Sequence, residues 1–275
     1  MLNMKIAIVA IAKDEELYIE EWLNYYRKLG ATHFFIFDNN DEGNNKLPEL
    51  IGSNPDVSII DVRGRKALNA AGMQVGCNTK IYNEQKDNFD YFGYFDIDEF
   101  LYMEGKTIEE FVSQEQFKNV DVIKFNWRYY GDYDLVWYDP RPVQERFPIP
   151  CPDDVKYALR PRENEWCKAL LKSGKKMLRC LNHSFIMENG TCKHCSGKPG
   201  NAASMHEPID FSGGYIKHYG TKTLEEYIKR KCLNIHQIFD NTTYSACQRL
   251  DWFFNVNKHT EEKDELAKFF YDRKI

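Results

Sequence analysis

Three acids follow a run of aromatic residues in the stretch Asp90-Tyr91-Phe92-Gly93-Tyr94-Phe95-Asp96-Ile97-Asp98-Glu99-Phe100-Leu101. The aromatic run reads as a buried strand over residues 90–95, and the acids stand where its carboxyl end reaches solvent. Side chains alternate along a strand, so Asp96 and Asp98 project together while Ile97 faces away. Two carboxylates on one side repel each other. A divalent cation relieves that repulsion, and hard oxygen ligands suit Mg²⁺ or Mn²⁺. Asp96 and Asp98 are therefore candidate metal ligands facing a phosphate. A bare Asp-x-Asp is more often a solvated acidic turn; the aromatic lead-in and the apolar residues after Glu99 favour the site.

The elements that must position these acids follow from hydrophobic spacing. Residues 5–12 are rich in Ile and Val, as in a parallel strand covered on both faces. Residues 15–29 carry Leu17, Trp22, Leu23, Tyr25, Tyr26 and Leu29 at helical spacing, with Gly30 as the stop. His33–Asp38 is a second strand, left through the polar turn Asn39-Asn40-Asp41-Glu42-Gly43. A third strand over 57–62 and a helix over 67–83 precede the aromatic strand. Alternating strands and helices predict an α/β fold with a mostly parallel central sheet flanked by helices. Ligands of such sheets bind beyond the carboxyl ends of the strands, so Asp38, Asp41, Asp96 and Asp98 converge on one crevice.

Further on, a short helix over 107–116 and a strand over 120–127 lead to residues 131–152, a Pro-, Asp- and aromatic-rich loop. Short strand-like pieces cover 168–182, and a last strand covers 215–219. Residues 224–239 and 248–270 read as charged, aromatic-bearing helices. The expected domains are residues 1–222, with a nucleotide-binding half at 1–105 and an acceptor half at 106–222, and a helical extension at 223–275.

With 275 residues, 43% of them hydrophobic, the chain can bury a full core, and a net charge of −5 gives no reason to expect nucleic-acid binding. Eight cysteines without a secretion signal or apolar span read as reduced thiols in a cytoplasmic protein. Cys180, His183, Cys192 and Cys195 have spacing conceivable for zinc, although reduced thiols in a surface excursion are the commoner reading.

Several motifs in order resemble the metal-dependent nucleotide-sugar glycosyltransferases of the GT-A fold, in the family-2-like group allied to glycosyltransferase family 92. They are Ala12-Lys13-Asp14-Glu15-Glu16, Phe37-Asp38-Asn39-Asn40-Asp41, Phe95-Asp96-Ile97-Asp98-Glu99-Phe100, Trp127 through Gly131, Glu145-Arg146-Phe147 and His218-Tyr219-Gly220-Thr221-Lys222-Thr223. The resemblance implies a UDP-sugar donor, a saccharide acceptor, Mn²⁺ or Mg²⁺, and inversion by a single displacement. It puts Asp38 at the uracil and ribose end of the donor and Lys13 and Glu15 in the first loop around the nucleotide. Asp96 would contact ribose or metal, Asp98 would hold the metal, and His218 would add a ligand. It is compatible with surface-polysaccharide synthesis and peripheral membrane contact without a transmembrane segment.

A single displacement needs one carboxylate base for the acceptor hydroxyl. Glu145 is the first candidate and Asp134 the second; both could equally be loop acids paired with Arg141 or Arg146. Trp127 and Trp137 could stack on an acceptor sugar, although such aromatics are more often core. Lys222 could meet donor phosphates, although a solvated basic face is commoner. The alternative to an enzyme is a catalytically silent nucleotide-sugar or carbohydrate-binding module on the same fold.

Overall fold

A computed structural model describes residues 4–70, 72–155, 162–233 and 246–257. Its strands are β1 (Ile6–Ala12), β2 (His33–Asp38), β3 (Val57–Asp61), β4 (Tyr91–Tyr94), β5 (Glu99–Tyr102), β6 (Val122–Tyr129), β7 (Cys167–Lys172), β8 (Met177–Cys180), β9 (Phe185–Met187), β10 (Cys192–His194) and β11 (Tyr215–His218). The α-helices are α1 (Ile19–Lys28), α2 (Lys46–Ile51), α3 (Met73–Gln85), α4 (Ile108–Val112), α5 (Val143–Arg146), α6 (Leu224–Tyr227) and α7 (Ala246–Asn257). Of the two helices expected near the carboxyl end, residues 234–239 and 258–270 lie outside the described residues.

The strands form a nine-stranded sheet in the order β3-β2-β1-β4-β7-β6-β11-β5, with β10 on β6, and a separate β8-β9 pair. β3, β2, β1 and β4 run parallel, as the strand-helix alternation predicts. The whole sheet is mixed rather than mostly parallel, because β7 is antiparallel to both β4 and β6. The reason is topological: Asn126 pairs with Cys167, so the chain re-enters the sheet at the end where it left and must run back.

Apolar sequence explains the first four strands. In β1 only Ile11 is not buried, as a strand covered on both faces requires. In β4 a Cβ on Gly93 would meet Phe95 Cε2 at 2.5 Å and Ile8 Cδ1 at 2.8 Å, so this position tolerates no side chain. The expected helix over 67–83 begins later, at Met73, because Gly72 holds φ at 102° and breaks helical geometry. One face of α1 buries Trp22, Leu23 and Tyr26. Trp22 Nε1 and the Tyr26 hydroxyl both donate to Glu99 O, each at 3.1 Å, so this helix fixes the start of β5.

By internal contacts the chain divides into two compact units, residues 1–127 with 165–217 and residues 128–164 with 218–275. The first contains a core of Val9, Phe35, Phe37, Tyr82, Phe92, Tyr94 and Leu171. The second has small cores of its own, Tyr129 with Cys151, Val155 and Val256, and Tyr227 with Cys232 and Phe253. There Arg146 and Glu226 form a buried ion pair, and the Glu226 carboxylate also accepts from the N–H and hydroxyl of Thr223, the cap of α6. After α6 a wider π-helical turn covers Ile228–Leu233.

Candidate functional site

The parallel strands deliver polar residues to one rim. Ala12 is the register partner of Asp38, and Asp38 that of Asp61. Asp38 is buried; its Oδ1 accepts from Asn40 N at 3.1 Å, and its Oδ2 has no hydrogen-bond partner among the described residues. Burial raises its pKa, opposed by the Asn40 N–H and by Arg63, whose Nε stands 3.8 Å away. Arg63 binds Asp61 through Nη2 at 2.7 Å and holds that carboxyl down at about 2. The loops leaving β1 and β2 are tied together: Lys13 Nζ meets Asp41 at 3.0 Å, and Asp14 N donates to Asn40 Oδ1 at 2.8 Å. Glu15 is buried, and its carbonyl accepts from Tyr18 and Ile19 at the start of α1. Lys13, Asp38 and Asp41 are thus brought together, as the strand ends require.

The second acidic stretch differs from its expected geometry. β4 ends at Tyr94, and Asp96, Ile97 and Asp98 lie in a turn rather than along a strand. Glu99 N donates to Asp96 O at 3.0 Å, and Asp96 N donates back to Glu99 Oε2 at 3.0 Å, which closes the turn. Asp96 is held by Lys168 Nζ at 2.7 Å and Gln74 Nε2 at 2.8 Å. Glu99 is fully buried; burial raises its pKa, opposed by Lys168 at 3.4 Å. Lys168 is itself buried, which works against its charge, yet Asp96 and Glu99 keep it above the usual lysine range.

Asp98, Glu99 and His218, which closes β11 of the same sheet, are all buried and offer ligand atoms within 4.8 Å of one another. A metal ion could be held there. The donor set fits a divalent cation: two carboxylates and an imidazole are common metal ligands, and Glu99 Oε1 is buried with no hydrogen-bond partner among the described residues. Asp96, expected as a ligand, is instead engaged by Lys168 and Gln74 and is not in this group.

The remaining candidates are placed as follows. Trp127 is half-buried, its ring 5.0 Å from that of His183 and 6.0 Å from that of Trp166. Trp137 is 74% exposed. Glu145, in α5, and Asp134, at φ 57°, are both exposed. Glu145 adds to the field on Arg141, whose closer partner is Asp139. Lys222 is buried at φ 56°, just before the Thr223 cap. His218 packs edge-on against Tyr129, ring centroids 4.7 Å apart. Among the described residues Cys180, His183, Cys192 and Cys195 do not gather as a ligand group. Desolvation raises the thiol of the buried Cys180 to about 11 and that of the half-buried Cys192 to about 12.

The family model of glycosyltransferase family 92 matches residues 7–251, nearly the whole chain and all of these residues. The chain belongs to glycosyltransferase family 92. As a family 92 member it is a glycosyltransferase, with a sugar donor and an acceptor. Comparison with curated proteins gives no match. No helix among the described residues is long and apolar enough to cross a membrane.

Reading the sequence alone misses Arg63, Gln74, Glu99 and Lys168 among the side chains around these acids. Only Lys168 leaves a usable trace, as a charge inside the apolar run Cys167-Lys168-Ala169-Leu170-Leu171. A lysine in a buried strand must have an acid beside it.

Proposed function

We propose that this family 92 member is a metal-dependent inverting glycosyltransferase of the GT-A fold. It moves a sugar from a UDP-sugar to a hydroxyl of a saccharide acceptor. The observation that carries this reading is a pair of buried carboxylate oxygens without hydrogen-bond partners among the described residues: Asp38 Oδ2 at the end of β2, and Glu99 Oε1 just past the turn that follows β4, β2 and β4 being the parallel strands on either side of β1. Leaving such an oxygen unsatisfied costs about 1–3 kcal/mol, which a bound donor group or cation recovers.

Asp38 accepts from the uracil or ribose of the donor, with Lys13, Glu15 and Asp41 in the loops around the nucleotide. Asp96, held by Lys168 and Gln74, takes a ribose hydroxyl. Asp98, Glu99 and His218 hold the metal. A divalent ion bound there offsets the charge that develops on the departing diphosphate. Lys222 meets the same phosphates. Glu145, with Asp134 as the second choice, takes the proton of the acceptor hydroxyl, and Trp127 and Trp137 offer faces to the acceptor sugar.

The test measures UDP release from a panel of UDP-sugars, with and without a saccharide acceptor, in Mn²⁺ and in EDTA. Acceptor-dependent release that disappears in EDTA and in Asp98→Asn is expected. Donor binding without acceptor-dependent release would identify a silent binding module instead, and equal release in Mn²⁺ and EDTA would remove the metal.

A further inference from the structure

Lys168 is the second residue of β7, between Cys167 and Ala169, both fully buried, and is itself 1% exposed. A buried ammonium persists only where anions compensate it. The antiparallel register, Gly93 with Leu170, brings Lys168 level with the turn that follows β4. There its Nζ lies 2.7 Å from Asp96 Oδ2 and 3.4 Å from Glu99 Oε2. Gln74 Nε2 takes the other Asp96 oxygen, Oδ1, at 2.8 Å. Asp96 N takes Glu99 Oε2 at 3.0 Å. Both oxygens of Asp96 and one of Glu99 therefore have a protein partner, whereas Glu99 Oε1 has no hydrogen-bond partner among the described residues.

We infer that Lys168 is a positioning residue, a permanent internal cation that keeps the Asp96–Glu99 turn closed before any divalent ion arrives. By holding Asp96 Oδ2 and Glu99 Oε2 it leaves Glu99 Oε1 to that ion. The inference rests on the metal reading above and adds what determines the ligand set. Three carboxylates within four residues repel one another, and two of them are buried. An ammonium among them offsets part of that repulsion and lowers the share a metal ion must offset. The metal site then stays formed without metal, and binding is weaker than three uncompensated acids would give.

Thermal unfolding of the full chain in EDTA and in a Mn²⁺ series, without donor, tests this on the native protein, Lys168→Met and Asp98→Asn. The native Tm is expected to rise with Mn²⁺, and that of Asp98→Asn to respond little. Lys168→Met is expected to unfold at lower temperature in EDTA and to recover in Mn²⁺, its metal-induced shift roughly twice the native one. Lys168→Gln, which keeps a donor for Asp96 without the charge, carries the same comparison should the methionine variant not fold. A native response with an equal deficit of the Lys168 variants in EDTA and Mn²⁺ would make Lys168 merely structural and overturn this inference alone. No native response, or an equal one in Asp98→Asn, would overturn the metal reading and this inference with it.

Discussion

Asp38 and Asp61 stand opposite one another at the ends of β2 and β3, and one guanidinium serves both. Arg63 Nη2 binds Asp61 at 2.7 Å, and Arg63 Nε stands 3.8 Å from Asp38. The same side chain donates through Nη1 to Asn44 O and Asn45 Oδ1, each at 2.8 Å, and so pins the loop after β2. In Arg63→Ala the two acids face each other uncompensated and that loop is released. The Kd for UDP by calorimetry is expected to rise about tenfold, the loss of one charge-assisted contact of about 1.5 kcal/mol. An unchanged Kd would take Asp38 and Arg63 out of the donor site.

Trp137 is 74% exposed and contributes little to the core. Its replacement by Ala should leave stability within about 0.5 kcal/mol of the native value. If the ring stacks on the acceptor, KM for the acceptor rises roughly three- to tenfold while the donor KM holds, the range of an aromatic contact worth about 0.5–1.5 kcal/mol. Steady-state kinetics with each substrate varied in turn separates the two.

Arg146 is buried and binds Glu226 through both terminal nitrogens, at 2.9 and 3.2 Å, with its guanidinium 4.9 Å from the Phe147 ring centre. Arg146→Met strands the Glu226 carboxylate in the core, at a cost of about 3–5 kcal/mol. Urea unfolding should show that loss, and the double variant Arg146→Met/Glu226→Gln should recover most of it. Lysine is a poor substitute, because the planar fork is lost.

Arg27 grips Asp56 with two parallel bonds, Nε to Oδ2 at 2.7 Å and Nη2 to Oδ1 at 2.8 Å. These bonds hold the Asp56 carboxyl below its ordinary 3.8. A carboxylate whose folded pKa is depressed contributes stability that is complete above the ordinary value and lost as pH falls through the folded one. The native chain should therefore exceed Asp56→Asn in stability by about 0.5–1 kcal/mol at about pH 6, and the gap should shrink below about pH 4. Urea unfolding at the two pH values checks the sign. A gap that widens in acid would contradict the pairing.

Hydrophobic pattern made the first hundred residues readable. His33–Asp38 is a strand over the whole expected span, and Val57–Asp61 falls one residue short of it. Continuous apolar runs closed by polar turns have few other ways to satisfy both burial and backbone hydrogen bonds. Strand ends in a parallel set lie level, which is why Asp38 and Asp41 were legible on one rim, while the Lys13–Asp41 pair came only from the structure. Asp96 and Asp98 are arranged differently from what the sequence suggests. Strand alternation was expected to align them, whereas a turn closed by Glu99 carries them.

Local sequence determines what depends on near neighbours: strand and helix periods, the Thr107 and Thr223 caps with their glutamates three residues on, and the start of α3 after Gly72. Which charge compensates which is a matter of distance in space. Lys168 meets Asp96 across 72 residues and Arg146 meets Glu226 across 80, and no spacing rule along the chain records such a meeting. Only folding decides it, because burial makes every unpaired charge expensive and leaves each one to the partner that the sheet and the helices bring within reach.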